Sequence, residues 1–398
     1  MESHAAAQQL RPGSTAWLPT CASARQHGES LGLRPGALES LSDLVRREIR
    51  NLSPVHFALV MATGIVSIAV NAVGMRFLAL ALFGFNVVAY AVLCVLTVLR
   101  IAWYTAEFAR DLSDHRRSVG FFATVAATCV LGSQSILITG SLLPATLLWG
   151  FGILLWLVTT YSVFTILIVK EHKPSLAEGI SGSWLLAVVA AQSIAVLSAL
   201  LASHWGQPQR LEANFLALSM WLWGGMLYIW MISLIFYRYT FFTFSPNDLE
   251  APYWINMGAM AISTLGGATL VGNASDAWFL RSLLPFLKGF TIFFWATGTW
   301  WIPMLVILGV WRHAYRRYPL TYDPLYWGAV FPLGMYAVCT IAIAEEMNLT
   351  FLSPVPRIFV YVALTAWLLT FVGLGRRIGR NVIGAIAPSF RLLRDHLP

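Results

Sequence analysis

Apolar stretches of about 20 residues, each long enough to cross a bilayer as a helix, recur ten times along the chain with short polar segments between them. They fall near 54–74, 77–101, 120–139, 144–169, 183–203, 214–238, 252–272, 283–310, 325–345 and 357–375. A different pattern precedes them. In ALESLSDLVRREIRNL (37–52), Leu38, Leu41, Leu44, Val45, Ile49 and Leu52 recur at helical spacing with Arg46, Arg47 and Arg50 close by. That spacing predicts an amphipathic helix, lying on a membrane surface or docked on the protein. Residues 1–36 are rich in Ala, Gly, Ser, Gln and Pro without an apolar run, so a disordered tail is expected there, with no signal-peptide core.

Composition agrees with the pattern. Of 398 residues, 58% are hydrophobic and only 11% charged, too few charges to cover a soluble surface. The expected fold class is therefore an all-α integral membrane protein, with one ten-helix domain over 53–377 and a basic tail over 378–398. The net charge of +8 does not point to nucleic acid, because its distribution follows the alternating loops. One side, with the two flanks, carries eighteen Lys and Arg, among them Arg100, Arg116, Arg117, Lys170, Arg312 and Arg376, against Arg76, Arg210, Arg281 and Arg357 on the other. Basic loops stay in the cytoplasm. An even span count with both termini cytoplasmic, in the cell membrane, is the expected topology.

The spans are of two alternating kinds. Spans three, five and seven are built from Ala, Ser, Thr, Val, Gly and Gln, whereas spans six and eight are full of rings and long side chains. Small residues permit close backbone approach, and hydroxyls and amides are tolerated where a helix faces protein or water. Odd helices are thus expected inside and even helices outside, as five helical hairpins around a central axis; helix packing without any pore would call for the same small residues. The candidate pore-lining residues are Thr63, Gly64 and Ser67 in span one, Thr128, Ser133 and Gln134 in span three, Gln192 and Ser193 in span five, and Ser263 and Thr264 in span seven.

No enzyme constellation accompanies them. GxSxG, HExxH, paired aspartates within a span and a phosphate-binding glycine loop are all missing, and the four cysteines have no metal spacing, so neither a cofactor nor a metal is expected. Charge inside the spans is nearly absent. Lys288 can snorkel, and Glu345 and Glu346 close span nine, where they shape the pore mouth or, the expected role, anchor the helix end. A path without buried charge suits weak, fast contacts with small anions better than tight binding or a proton relay.

Span nine holds one anomaly. In WGAVFPLGMY (327–336) Phe331 and Pro332 stand inside an uncharged run, where proline removes a helical hydrogen bond at a cost of about 3 kcal/mol. This stretch belongs to a wider resemblance. LSPVHFALVMATGIVSI (52–68), APYWINMGAMAISTLGGATL (251–270) and YDPLYWGAVFPLGMY (322–336) resemble the tellurite-resistance/dicarboxylate transporter family of malate permeases, sulfite exporters and slow-type anion channels. The resemblance implies five hairpins about a pseudo-fivefold axis, odd helices lining an anion pore, and a homotrimer. It also implies that Phe331, at the place of the family's ninth-helix phenylalanine, plugs the pore, with Pro332 bending the segment inward. Read without the family, Phe331 is a core aromatic at a kink. The expected function is a channel or transporter for small anions, such as malate and other C4-dicarboxylates or inorganic anions. The alternatives are a proton-coupled dicarboxylate symporter and a sulfite or tellurite-related exporter.

Overall fold

The computed structural model describes residues 41–395; the tail over 1–36 and the first residues of the amphipathic segment lie outside them. Contacts divide the chain into Val45–Asn381 and a second unit, Met1–Leu44 with Val382–Pro398. Among the described residues, ten helices are long and apolar enough to cross a membrane, and all ten lie in the larger unit. They are α1 (Pro54–Ala72), α2 (Arg76–Trp103), α3 (Ser118–Thr139), α4 (Leu142–Val169), α5 (Gly182–Ala202), α6 (Gln209–Phe241), α7 (Ala251–Ser275), α8 (Leu284–Tyr315), α9 (Pro324–Glu346) and α10 (Thr350–Asn381). Among the described residues there is no strand.

The amphipathic segment is helical over Leu41–Arg50. The largest departure from the expected boundaries is α10, which belongs to a helix running Pro354–Asp395. The expected end near 375 marks where Arg376, Arg377 and Arg380 stop the hydrophobic run. Charge ends a membrane span, but Arg is a good helix former, so the helix itself continues through the expected start of the basic tail.

Burial separates the helices into two sets. Between 72% and 94% of the most apolar window is buried in α1, α3, α5, α7 and α9, against 11% to 50% in the even helices. The inner five form a closed ring: α1 packs on α3, α3 on α5, α5 on α7, α7 on α9, and α9 back on α1. Each of α2, α4, α6 and α8 packs on the inner helix that precedes it, while α10 reaches α9 through Phe359 on Tyr336 and α1 through Trp367 on Thr63.

A glycine stands at every seam of the ring. A methyl placed on Gly64 would lie 2.6 Å from Val130 (α1–α3), on Gly132 2.7 Å from Leu197 (α3–α5), and on Gly182 2.6 Å from the Pro252 carbonyl (α5–α7). On Gly258 it would lie 2.6 Å from Pro332 (α7–α9), and on Gly334 3.0 Å from Ile65 (α9–α1). At the first four seams an added side chain would force its neighbour to shift, and at Gly334 Ile65 would have to give by a few tenths of an ångström, so the ring closes at tight backbone-to-side-chain contact.

All five inner helices begin with a short 3-10 turn: Pro54–Phe57, Ser118–Phe121, Gly182–Leu185, Ala251–Trp254 and Pro324–Tyr326. Each turn touches the next around a second closed circle, so the five helices are parallel with their N-termini together. Ion pairs brace this end. Asp111, 2% exposed, takes Arg100 at 2.6 Å and Arg117 at 3.0 Å, and Arg116 pairs with Glu250 across the loops before α3 and α7. Burial pushes the Glu250 carboxyl above its usual range, against the pull of Arg116.

The seams make a paired prediction. Gly258→Ala overfills the α7–α9 contact and should destabilise the protein by about 1–3 kcal/mol. Gly84→Ala, on α2 with nothing within 4 Å of the added methyl, should stabilise it by about 0.5–1 kcal/mol. Thermal unfolding in detergent reads both, and melting temperatures that shift in the same direction would contradict the packing described.

Candidate functional site: a cavity inside the helix ring

The ring encloses a cavity of about 510 Å³ to which all five inner helices contribute. It reaches the surface at their C-terminal ends, where Asn71, Ser203, Asn273, Glu345 and Glu346 stand around it. The wall is mostly aliphatic, from Ile68, Val196, Leu200, Leu265, Val338 and Ile341, interrupted by Ser133, Ser193 and Thr269. Because the helices are parallel, the lowest-numbered lining residue of each marks the floor: Ile65, Val130, Ser193, Ile262 and Met335.

Residues four apart share a helix face about 6 Å apart along the axis. One turn beyond the floor on those faces stand Met61, Ala126, Val189, Gly258 and Phe331, all buried. This layer has no polar side chain, and Phe331, 1% exposed, is its largest member. Phe331 therefore continues the α9 stripe of Met335, Val338, Ala342 and Glu345 that lines the cavity. Pro332 lies on a different face, against Gly258 of α7. The helix is continuous through Pro332, over Trp327–Glu346, although proline leaves the Gly328 carbonyl without its helical donor.

Of the ten candidate lining residues, the structure places Ser133 and Ser193 on the cavity. Most of the others tie inner helices to outer ones. Thr63 accepts a hydrogen bond from Trp367 Nε1 at 3.0 Å, and Ser67 donates to the Ala79 carbonyl at 2.8 Å. Thr128 Oγ1 is 2.8 Å from the Tyr90 hydroxyl, and Gln134 accepts from Asn86 Nδ2 at 2.9 Å beside Gly64. Gln192 donates to the Trp221 carbonyl at 3.0 Å. The Ser263 and Thr264 hydroxyls donate back to the Ala259 and Met260 carbonyls, and Trp221 Nε1 takes the Ser263 carbonyl at 2.7 Å.

The physical reason is the same throughout. A polar group at membrane depth needs a protein partner, and the lateral faces of a ring helix offer more partners than its axial face. Residue type alone shows that a group is polar, not which face it lies on. Of the polar rim formed by Asn71, Ser203, Thr269, Asn273, Glu345 and Glu346, the sequence points to the two glutamates, as a pore mouth or a helix-end anchor, and not to the other four. The rim residues sit in the last turns or just beyond, where sequence reads them as helix ends; Glu345 and Glu346 face the cavity rather than merely closing α9.

Among the described residues, no group of His, Cys, Asp and Glu is arranged to hold a metal. A ten-helix membrane protein with a closed inner ring and a vestibule that ends against an apolar layer has an architecture that fits a solute pathway. Residues 51–374 match the family described as voltage-dependent anion channel, SLAC1, and the chain belongs to that family; it is a membrane protein of an anion-transporting class. A 159-residue stretch is 38% identical to an uncharacterized membrane protein of Mycobacterium tuberculosis, covering 39% of this chain and 80% of that protein. An uncharacterized transporter of Methanocaldococcus jannaschii is 26% identical over 306 residues, 73% of this chain and 84% of its own length. A sulfite efflux pump of Arthroderma otae is 23% identical over 354 residues, 81% of this chain and 90% of its own.

Adjacent residues test the placement. In a background with the native cysteines replaced, Ser133→Cys and Ser193→Cys should react with a small charged thiosulfonate reagent. Their neighbours Gln134→Cys and Gln192→Cys should react far more slowly. Equal rates within each pair would overturn the assignment of the cavity wall.

Proposed function

We propose that the protein is a passive or weakly coupled pathway for small anions, closed by Phe331. The observation that carries this reading is the position of Phe331, one turn beyond the floor of a vestibule lined by all five inner helices, on the face that lines it. A bulky ring in an apolar constriction excludes water and blocks ions by dewetting. Above it the wall offers hydroxyls, which solvate an anion weakly and release it quickly. In the described cavity lining, the ionisable side chains are Glu345 and Glu346 at the mouth, so no proton carrier stands at depth, where a symporter would need one.

The permeant ion is a small inorganic anion or carboxylate. Sulfite is the first to try, because sulfite efflux pumps match over most of this chain; chloride, nitrate and malate complete the set. The basic N-terminal end of the ring faces the cytoplasm by the excess of Lys and Arg, which places both termini inside and the vestibule outside, in the cell membrane. The lipid-exposed outer helices supply the surface for a homotrimer.

Purified protein in liposomes under a set potential gives the test. Phe331→Ala should raise anion conductance per folded protein, with Phe331→Leu intermediate. A core residue without a gating role would instead leave a cavity costing about 3–5 kcal/mol, lower the folded yield and leave conductance unchanged. A well-folded Phe331→Ala protein that conducts like its parent would sink the gate. Flux should also follow the potential and persist when a protonophore removes the pH gradient at clamped potential; its loss would favour a proton-coupled symporter.

A further inference from the structure

The inner ring is electrically polar along its axis. Five parallel helices bring five positive dipole ends together at the 3-10 turns and five negative ends together at the mouth of the vestibule. The basic loops lie at the first end. At the second, Glu345 and Glu346 are exposed and line the cavity. The Glu346 carboxylate rests on the last turns of α7, where a methyl on Gly272 would meet its Oε1 at 2.8 Å, so its charge spans the gap between α9 and α7.

Neither carboxylate is in an ion pair among the described residues. Of the basic groups of that face, Arg210 pairs with Asp276 at 3.5 Å, while Arg76 donates to the neutral Asn71 at 3.2 Å and Arg281 to the Ser275 carbonyl, each keeping its charge. Arg357 lines an adjoining recess that shares Ala72, Ile341 and Glu345 with the vestibule. None of the four lines the vestibule.

We infer that Glu345 and Glu346 form an acidic lip that makes anion conduction directional, favouring passage from the N-terminal end of the ring toward the vestibule over the reverse. This rests on the proposed function. The carboxylates bind nothing in the scheme; they lower the local concentration of anions at the mouth and so slow entry there, whereas an anion arriving from the other end meets the lip last, where the applied potential drives it over. A fixed charge cannot alter the equilibrium, so the reversal potential stays where the gradients put it and only the ratio of currents at opposite potentials changes. With the basic end in the cytoplasm, the favoured direction is export.

The test is a current–voltage curve in planar bilayers with the same chloride or sulfite concentration on both sides, orientation being scored by protease access to a terminal tag. The parent should rectify by roughly tenfold, the low end of the scale on which a charged cleft changes ion entry. Glu345→Gln with Glu346→Gln should bring the ratio near one, and Glu345→Lys with Glu346→Lys should invert it. In the unaltered protein, raising ionic strength with the salt of a bulky sulfonate should also flatten the curve, since exposed charges are screened; a structural role for the glutamates would not respond. A conducting parent whose ratio is the same in both variants and at high ionic strength would overturn the lip alone. A parent that carries no anion current would instead overturn the transport reading beneath it.

Discussion

Everything else in the molecule depends on how closely five apolar helices approach one another around the axis. In a bilayer no hydrophobic driving force separates helix from lipid, so association depends on close van der Waals fit and on hydrogen bonds. The glycines at the five seams, Gly64, Gly132, Gly182, Gly258 and Gly334, supply that fit. They draw the ring tight at mid-depth and at the 3-10 turns, and the wider space left at the C-terminal ends is the vestibule. Pro332 takes part in the same constraint: its ring fills the space beside Gly258.

The outer helices hold this ring from behind. Trp367, Tyr90, Asn86 and Trp221 reach inward to hydroxyls, amides and carbonyls of α1, α3, α5 and α7. Thr63, Thr128, Gln134 and Gln192 therefore find partners away from the axis, although Gln134 Nε2 and Gln192 Oε1 are buried without one. That division leaves the path aliphatic with a few serines, and puts its charge at the two ends. On the proposed reading, the pathway discriminates through size, dewetting and the field at its mouths rather than through tight coordination.

The ten spans, their alternation and the inner position of the odd helices were legible in the sequence because each follows from local composition. Length and apolarity define a span, and small residues mark the helices that must approach closely. Phe331 and Pro332 stood out because proline inside a membrane helix is a local anomaly. The lining residues were not legible to the same degree: Thr63, Ser67, Thr128, Gln134 and Gln192 have the chemistry of pore contacts but lie against α2, α6 and α10, while Ser133 and Ser193, one residue away from two of them, face the cavity.

By itself, then, the sequence determined an all-helical membrane protein with a small-residue interior, a basic face and no built-in ionisable relay at depth, since those properties are sums over residue types. Only the tertiary structure decided which side of each inner helix faces the axis. Successive residues on a helix differ by about 100°, so rotating a helix by one residue exchanges Gln134 for Ser133 and Gln192 for Ser193 without changing composition at all. That rotation is set by the glycine seams and by the partners on neighbouring helices, which lie tens to hundreds of positions away in the chain, as Trp367 does from Thr63.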